Sequence, residues 1–223
     1  MRTVLFRKYH LSVGYELLRK TMAAANLQSV IRRKKRLSKG QQRIDNYRCK
    51  NILNRDFKAH TPGQKYATDI TYIPIRNSMV YLSVVLDLLN NEIVSYTIST
   101  IPDKKLSLDT IRDLSSRRSL NGAIIHSDQG IHYTNNSYHQ LLKEQGAIIS
   151  MSRKGNCWDN AVAENFFSHY KTECISIFKK RLRTFEDVFE VTENYIYYYN
   201  YERYQKGLHE MSPVEYRLNN FKN

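Results

Sequence analysis

Between Lys65 and Ile101 the chain offers three β-rich stretches in close succession, and they limit what it can fold into. Lys65–Arg76 is dense in β-branched residues and tyrosine and runs out near Pro74. Met79–Leu89, with the run VYLSVVLDLL, and Glu92–Ile101 follow, divided only by Asn90-Asn91. Two such runs joined by a short Asn-Asn turn predict an antiparallel reversal, and the three together a meander. Helix and strand patterns then alternate. A helix is expected over Lys104–Arg117 with Leu106, Ile111 and Leu114 on its buried side, a strand over Gly122–Ser127, a helix over Asn135–Gln145 and a strand over Ala147–Ser152. The GAIIHS segment is almost wholly apolar, as a strand covered on both faces should be.

A further stretch, Gly155 to Glu173, reads as a turn opening into an amphipathic helix. Ala163, Phe166, Phe167, Tyr170 and Cys174 form its apolar stripe, while Glu164 and Lys171, nearly two turns apart, share another face. The order βββ-α-β-α-β-α predicts an α/β domain with a mixed five-stranded sheet and helices on both sides. That is the arrangement of the ribonuclease-H-like fold. A last helix is expected after Thr184-Phe-Glu-Asp187, which comes close to a capping box. The tyrosines from Tyr195 to Tyr204 could stack on nucleic-acid bases or pack this helix on the sheet.

Charge is distributed unevenly. The net charge is +14, yet residues 1–60 hold 16 Lys/Arg against 3 Asp/Glu while the remainder is nearly neutral. Such an arm points to a polyanion gripped through its phosphates, most simply nucleic acid. Within it, Ser12 could cap a helix reaching about Ala25. A second helix would carry Val30 and Ile31 into the run Arg32, Arg33, Lys34, Lys35 and Arg36, together a partial helix-turn-helix. His60-Thr-Pro-Gly63 marks the expected junction, giving a small basic helical segment over residues 1–60 and a core over 61–223. No apolar run nears the roughly 18 residues of a membrane span, and the N-terminus lacks a signal peptide's apolar region. Three cysteines, Cys49, Cys157 and Cys174, show no CxxC pairing, so neither a disulfide framework nor a zinc site is suggested. A cytoplasmic location is expected.

Three carboxylates carry the candidate chemistry. Asp69 lies mid-strand, where a charge is costly unless neutralised. Asp128 follows the GAIIHS strand, bracketed by Gly122 and Gly130, and thirty-five residues separate it from Glu164. Ligands of α/β sheets gather at such strand ends. If the first and fourth strands are neighbours, the aspartates converge and Glu164 can reach the same point. Oxygen-only ligation favours Mg²⁺ or Mn²⁺ over zinc, and two such ions roughly 4 Å apart can drive phosphoryl transfer on nucleic acid. Lys171 would then approach a DNA phosphate or base. Each residue also has a plain reading: a hydrogen-bonded strand Asp, a turn-forming Asp before Gly, a solvated helix face.

Tyr66-Ala-Thr-Asp-Ile-Thr-Tyr72, His126-Ser-Asp-Gln-Gly130, Gly155 to Glu164 and Tyr170-Lys-Thr-Glu173 resemble the DDE integrase core of bacterial insertion-sequence transposases. The resemblance is to the second-frame (orfB) product of the IS-three type, related to retroviral integrases. Tyr199-Asn200, Arg203, Leu208 and Ser212-Pro213 with Tyr216 look like its C-terminal signature. The resemblance implies that Asp69, Asp128 and Glu164 form a catalytic triad holding two Mg²⁺ or Mn²⁺ ions. It also implies that Lys171 meets the element's terminal DNA, and that Asn160 positions the helix or touches DNA. It further implies strand cleavage followed by strand transfer, a homo-oligomer on paired DNA ends, and a first-frame (orfA) partner. Tyr66 and Gln205 depart from the family pattern, which often has tryptophan and histidine there. The rival reading is a catalytically inactive DNA-binding remnant of a decayed element.

Overall fold

The computed structural model describes residues 1–27, 48–76 and 78–221; the expected second helix with Val30, Ile31 and the Arg32–Arg36 run lies outside them. Three strands, β1 (Lys65–Ile75), β2 (Ser78–Asp87) and β3 (Ile93–Ser99), form the meander, joined by β4 (Ile124–Ser127) and β5 (Ile148–Met151). The sheet order is β3-β2-β1-β4-β5. The first three strands are antiparallel, while β4 and β5 run parallel to β1. Strand chemistry explains the burial: in β2 every residue from Leu82 to Asp87 is buried, because helices cover both faces.

One face carries α3 (Lys104–Arg117) and α4 (Asn136–Glu144), capped by Asp103 and Asn135, whose side chains accept from backbone N–H groups in the first turn. Leu108, Ile111, Leu114, Tyr138 and Leu142 meet Tyr66, Val85, Ile125 and Ile149 there. The other face carries α5 (Ala161–Tyr170), which continues through a π-helical turn (Lys171–Ile175) into the single turn α6 (Ser176–Phe178), together with α7 (Phe185–Tyr197). Ala163, Phe166, Phe167 and Tyr170 press onto Ala67, Ile73, Leu82 and Val84. Thr184 and Asp187 close the capping box of α7 reciprocally. The tyrosine cluster divides: Tyr195 and Tyr199 are buried, the latter edge-on to Phe166 at 5.0 Å between centroids, whereas Tyr197, Tyr198 and Tyr201 face solvent.

The N-terminal region differs from expectation. A helix α1 (Arg2–Tyr9), which no capping signal announces, comes first, and α2 (Tyr15–Ala24) starts after Gly14 instead of at Ser12. Neither buries a residue. Helix α1 is held to the C-terminal segment by a hydrogen bond from the Thr3 hydroxyl to Glu210 and by two ion pairs, Arg7 with Glu215 and Lys8 with Glu202 at 3.2 Å. Arg7 also lies over the Tyr204 ring at 4.6 Å. Residues 48–60 pack on the core just ahead of the junction expected near residue 60. Leu53 and Ala59 are buried, and Ser150 Oγ accepts from the N–H groups of Ile52 and Leu53. Among the described residues no helix is long and apolar enough to cross a membrane.

The C-terminal segment fastens the sheet edge. A second π-helical turn (Tyr198–Glu202) brings Asn200 to the start of β3, where its side chain accepts from the Ile93 N–H and donates to the Ile93 carbonyl, both at 2.9 Å. Arg203 forks onto Glu173 through two 2.8 Å bonds, and the Tyr195 hydroxyl donates to the same carboxylate at 3.0 Å. Against the upward push of burial, the hydrogen bond with His169 at 2.8 Å, then Arg203 and Tyr195, hold the Glu173 carboxyl well below the usual carboxylate range. A final helix α8 (Pro213–Asn220) follows, with Pro213 in its first turn and a Ser212–Glu215 capping box. Replacing Asn200 by Ala would leave both Ile93 backbone groups unpaired at a buried site, a loss of about 1–3 kcal/mol. Thermal unfolding should show it as a lowered Tm, and an unchanged Tm would mean that this lock does not hold the edge.

Candidate active site

The site follows from where two strands part. The parallel ladder between β1 and β4 ends at the Ala67–His126 pair. Asp69 and Asp128 each lie two residues beyond it, and a step of two returns a side chain to the same face of a sheet. Divergence therefore leaves two carboxylates side by side at the C-terminal end of β4. Each spends one oxygen on a nearby backbone N–H, Asp69 on Ile70 and Asp128 on Gly130, both at 2.8 Å. Gly130 must stay small, since a Cβ there would lie 2.8 Å from Asp128 Oδ1.

Glu164 occupies the first turn of α5 and is exposed, next to Ala163, which the sheet covers completely. The three carboxylates feel one another. Burial first, then the charges of Asp128 and Glu164, hold the Asp69 carboxyl far above its ordinary range, with the Ile70 N–H and Lys171 pulling it back. Asp128 is raised by burial and Glu164 by burial and the Asp128 charge. As they stand, no three His, Cys, Asp or Glu side chains among the described residues converge closely enough to hold one ion. Like charges have no reason to close up without a cation between them. The donor set is nonetheless all oxygen, and a half-buried anionic pair in want of positive charge suits a hard divalent cation.

Lys171 opens the π-helical turn after α5, with its ammonium 5.1 Å from the centroid of the Tyr72 ring. It is exposed at the same end of the sheet, whereas Asn160 is buried, only 3% exposed, and its Oδ1 has no hydrogen-bond partner among the described residues. The basic residues Arg32, Arg33, Lys34, Lys35 and Arg36 lie outside the described residues.

Sequence reasoning missed the anchor beneath this site. The Asp159 side chain is completely covered and takes a fork from Arg153, with Nε and Nη2 both at 2.8 Å. It also accepts from the Arg153 N–H at 3.0 Å, Arg55 Nε at 2.9 Å and Asn51 Nδ2 at 2.9 Å. The Arg153 fork holds its carboxyl far below the usual range. Arg55 and Asn51 are more than a hundred residues distant, so no local pattern announces them. His126 is likewise structural: buried between Ser150 Oγ at 2.8 Å and Ser152 Oγ at 3.1 Å, it is pushed down to about 4 by burial and stays neutral.

Comparison with known proteins agrees with this architecture. Residues 59–157 and 164–221 match two families, each described as integrase core domain. An uncharacterized transposase-like protein of Haemophilus influenzae is 42% identical over 75% of this chain and 76% of its own length. The putative transposase InsK for insertion sequence element IS150 of Escherichia coli is 40% identical over 75% of this chain but 59% of its own. The transposase for insertion sequence element IS904 of Lactococcus lactis is 35% identical over 76% and 67% respectively. Among solved structures, a chain of the simian T-cell lymphotropic virus intasome superposes with TM-score 0.61 at 15% identity, covering all of this chain and 76% of the other. The HTLV-2 integrase catalytic core domain in complex with magnesium gives 0.52 at 12%, over 70% of this chain and 96% of that core. The fold is thus ribonuclease-H-like, and the chain belongs to the insertion-sequence transposases that carry an integrase core domain.

Proposed function

We propose that this transposase cuts a DNA strand at an element end and joins the freed 3′ end to a second site, with Asp69, Asp128 and Glu164 as the catalytic carboxylates. The observation carrying this reading is the placement of Asp69 and Asp128 two residues past the last β1–β4 pair, within electrostatic reach of Glu164. Asp69, Asp128 and Glu164 would hold two Mg²⁺ or Mn²⁺ ions. Bound there, such ions supply Lewis acidity for the attacking and leaving oxygens of a phosphodiester. In the first step a water oxygen attacks phosphorus, loses its proton, and the P–O bond breaks with its electron pair on the 3′ oxygen. In the second that 3′-hydroxyl oxygen loses its proton and attacks the phosphorus of a target phosphodiester, whose own P–O3′ bond breaks with its electron pair on the departing oxygen, which takes up a proton. No covalent bond to the protein forms.

The chain's own residues supply position. Helix α5 presents Glu164 from a buried base, and Lys171 offers a cation at the same sheet end for a phosphate near the site. A homo-oligomer on paired DNA ends and a first-frame partner are part of the reading. The transposase names of the relatives do not favour an inactive remnant.

Four outcomes test this. Glu164→Gln should abolish cleavage and strand transfer on DNA carrying the element's ends while leaving DNA binding in place; an active variant would sink the triad. Mn²⁺ at about 100 times its Kd should stabilise the wild type by about 2.7 kcal/mol, and Asp69→Asn should remove the effect. The sign of its pH dependence follows from the raised Asp69 carboxyl. Between about 4 and 8 the fold retains a proton that the unfolded chain has lost, so metal-free stability falls as pH rises. Protons compete with the cation, so the Mn²⁺-induced rise in Tm should grow across that window; a flat or declining response overturns it. Lastly, neutralising Arg32, Arg33, Lys34, Lys35 and Arg36 should flatten the log–log salt slope of DNA binding by roughly 4, and an unchanged slope removes them from the interface.

A further inference from the structure

Trp158 is the chain's only tryptophan, and it is 69% exposed. It rides on a short 3₁₀ turn (Cys157–Asn160) whose next two residues, Asp159 and Asn160, are buried. The five contacts of Asp159 pin that turn to residues 51–55 and to Arg153. A large aromatic ring is thus left in water on a fixed mount.

Its place in the fold makes the exposure informative. The segment after β5 starts beside Asp128: the Ser152 N–H donates to the Ser127 carbonyl at 2.9 Å, and Gln129 Nε2 donates to the Ser152 carbonyl at 2.9 Å. Six residues after Trp158 comes Glu164. Around it the sequence is cationic and polar, with exposed Arg153 and Lys154 and partly exposed Asn156. One flat π-face among cations matches the surface that proteins use to hold unpaired bases.

We propose that Trp158 is a stacking platform for an unpaired nucleobase of the DNA strand lying at the carboxylates. This rests on the reading of that cleft as a DNA-processing site and adds the residue that holds a base splayed from the duplex end. Stacking uses the face common to all four bases, so the platform is tolerant of sequence and prefers DNA with unpaired ends.

A single tryptophan gives a direct readout in the full chain. Excited selectively over the tyrosines, Trp158 fluorescence should be quenched by a duplex with a short single-stranded 3′ tail, and less by the same duplex made blunt. By anisotropy of labelled DNA, Trp158→Ala should weaken binding of the tailed duplex roughly tenfold, the scale of one lost base–aromatic stack, with the salt slope unchanged. Trp158→Phe should recover most of that loss. Unaltered fluorescence on saturating DNA, or Ala and wild-type forms of equal affinity, overturns the platform. So does fluorescence that changes with protein concentration alone, since the ring would then cover a contact between copies. Glu164→Gln separates the two readings. Quenching that persists in it, or in a wild type that never cuts, upholds the platform whatever the fate of the catalytic proposal. Cleavage without quenching upholds only the latter.

Discussion

Two aspartates stand together because a parallel ladder stops. β1 and β4 cease to pair at Ala67 and His126, and two residues later come Asp69, still in β1, and Asp128, just past the end of β4, close enough for their charges to act on each other. Everything else near the site manages the resulting charge. Backbone N–H groups of Ile70 and Gly130 each take one oxygen, Lys171 supplies positive potential, and the fold keeps the Asp69 proton longer than an exposed aspartate would. A cluster tuned in this way is poorly balanced by itself and better balanced with divalent cations, which is how a binding site differs from a structural ion pair.

The elements of the sheet and its covering helices were legible in the chain because their patterns are local. The α3 range, Lys104–Arg117, agrees in full with the apolar spacing of Leu106, Ile111 and Leu114, and Asn90-Asn91 marks the hairpin correctly. Most expected strands lose a residue or more at an end, where pairing stops before the β-prone composition does. Helices α1 and α8 went unread for different reasons. α1 has little amphipathic contrast and buries nothing, so periodicity offers no signal. α8 begins with Ser212-Pro213, whose capping role is obscured because those residues read first as a family signature.

The site was legible only as far as its carboxylates. Asp69, Asp128 and Glu164 announce themselves through strand and helix context, and the sheet order brings the strands of the first two together. The supports beneath them do not announce themselves. Asp159 meets Arg55 and Asn51 across more than a hundred residues, and Asn200 reaches Ile93 across a similar separation. Such pairings depend on the finished topology, so a local window sees only an acid before a helix or an asparagine among tyrosines.

The docking of α1 joins residues about two hundred positions apart, Arg7 with Glu215 and Thr3 with Glu210. The contacts that hold it are exposed ion pairs and hydrogen bonds with no buried side chain of α1 beneath them. The helix is therefore a late arrival in folding, joining after the sheet and its helices have set, and it is the first piece to leave on warming. Its attachment weakens with ionic strength while the core's does not. Amide exchange should accordingly run in two tiers: fast and salt-dependent over Arg2–Tyr9, slow and indifferent to salt over β1 and β2.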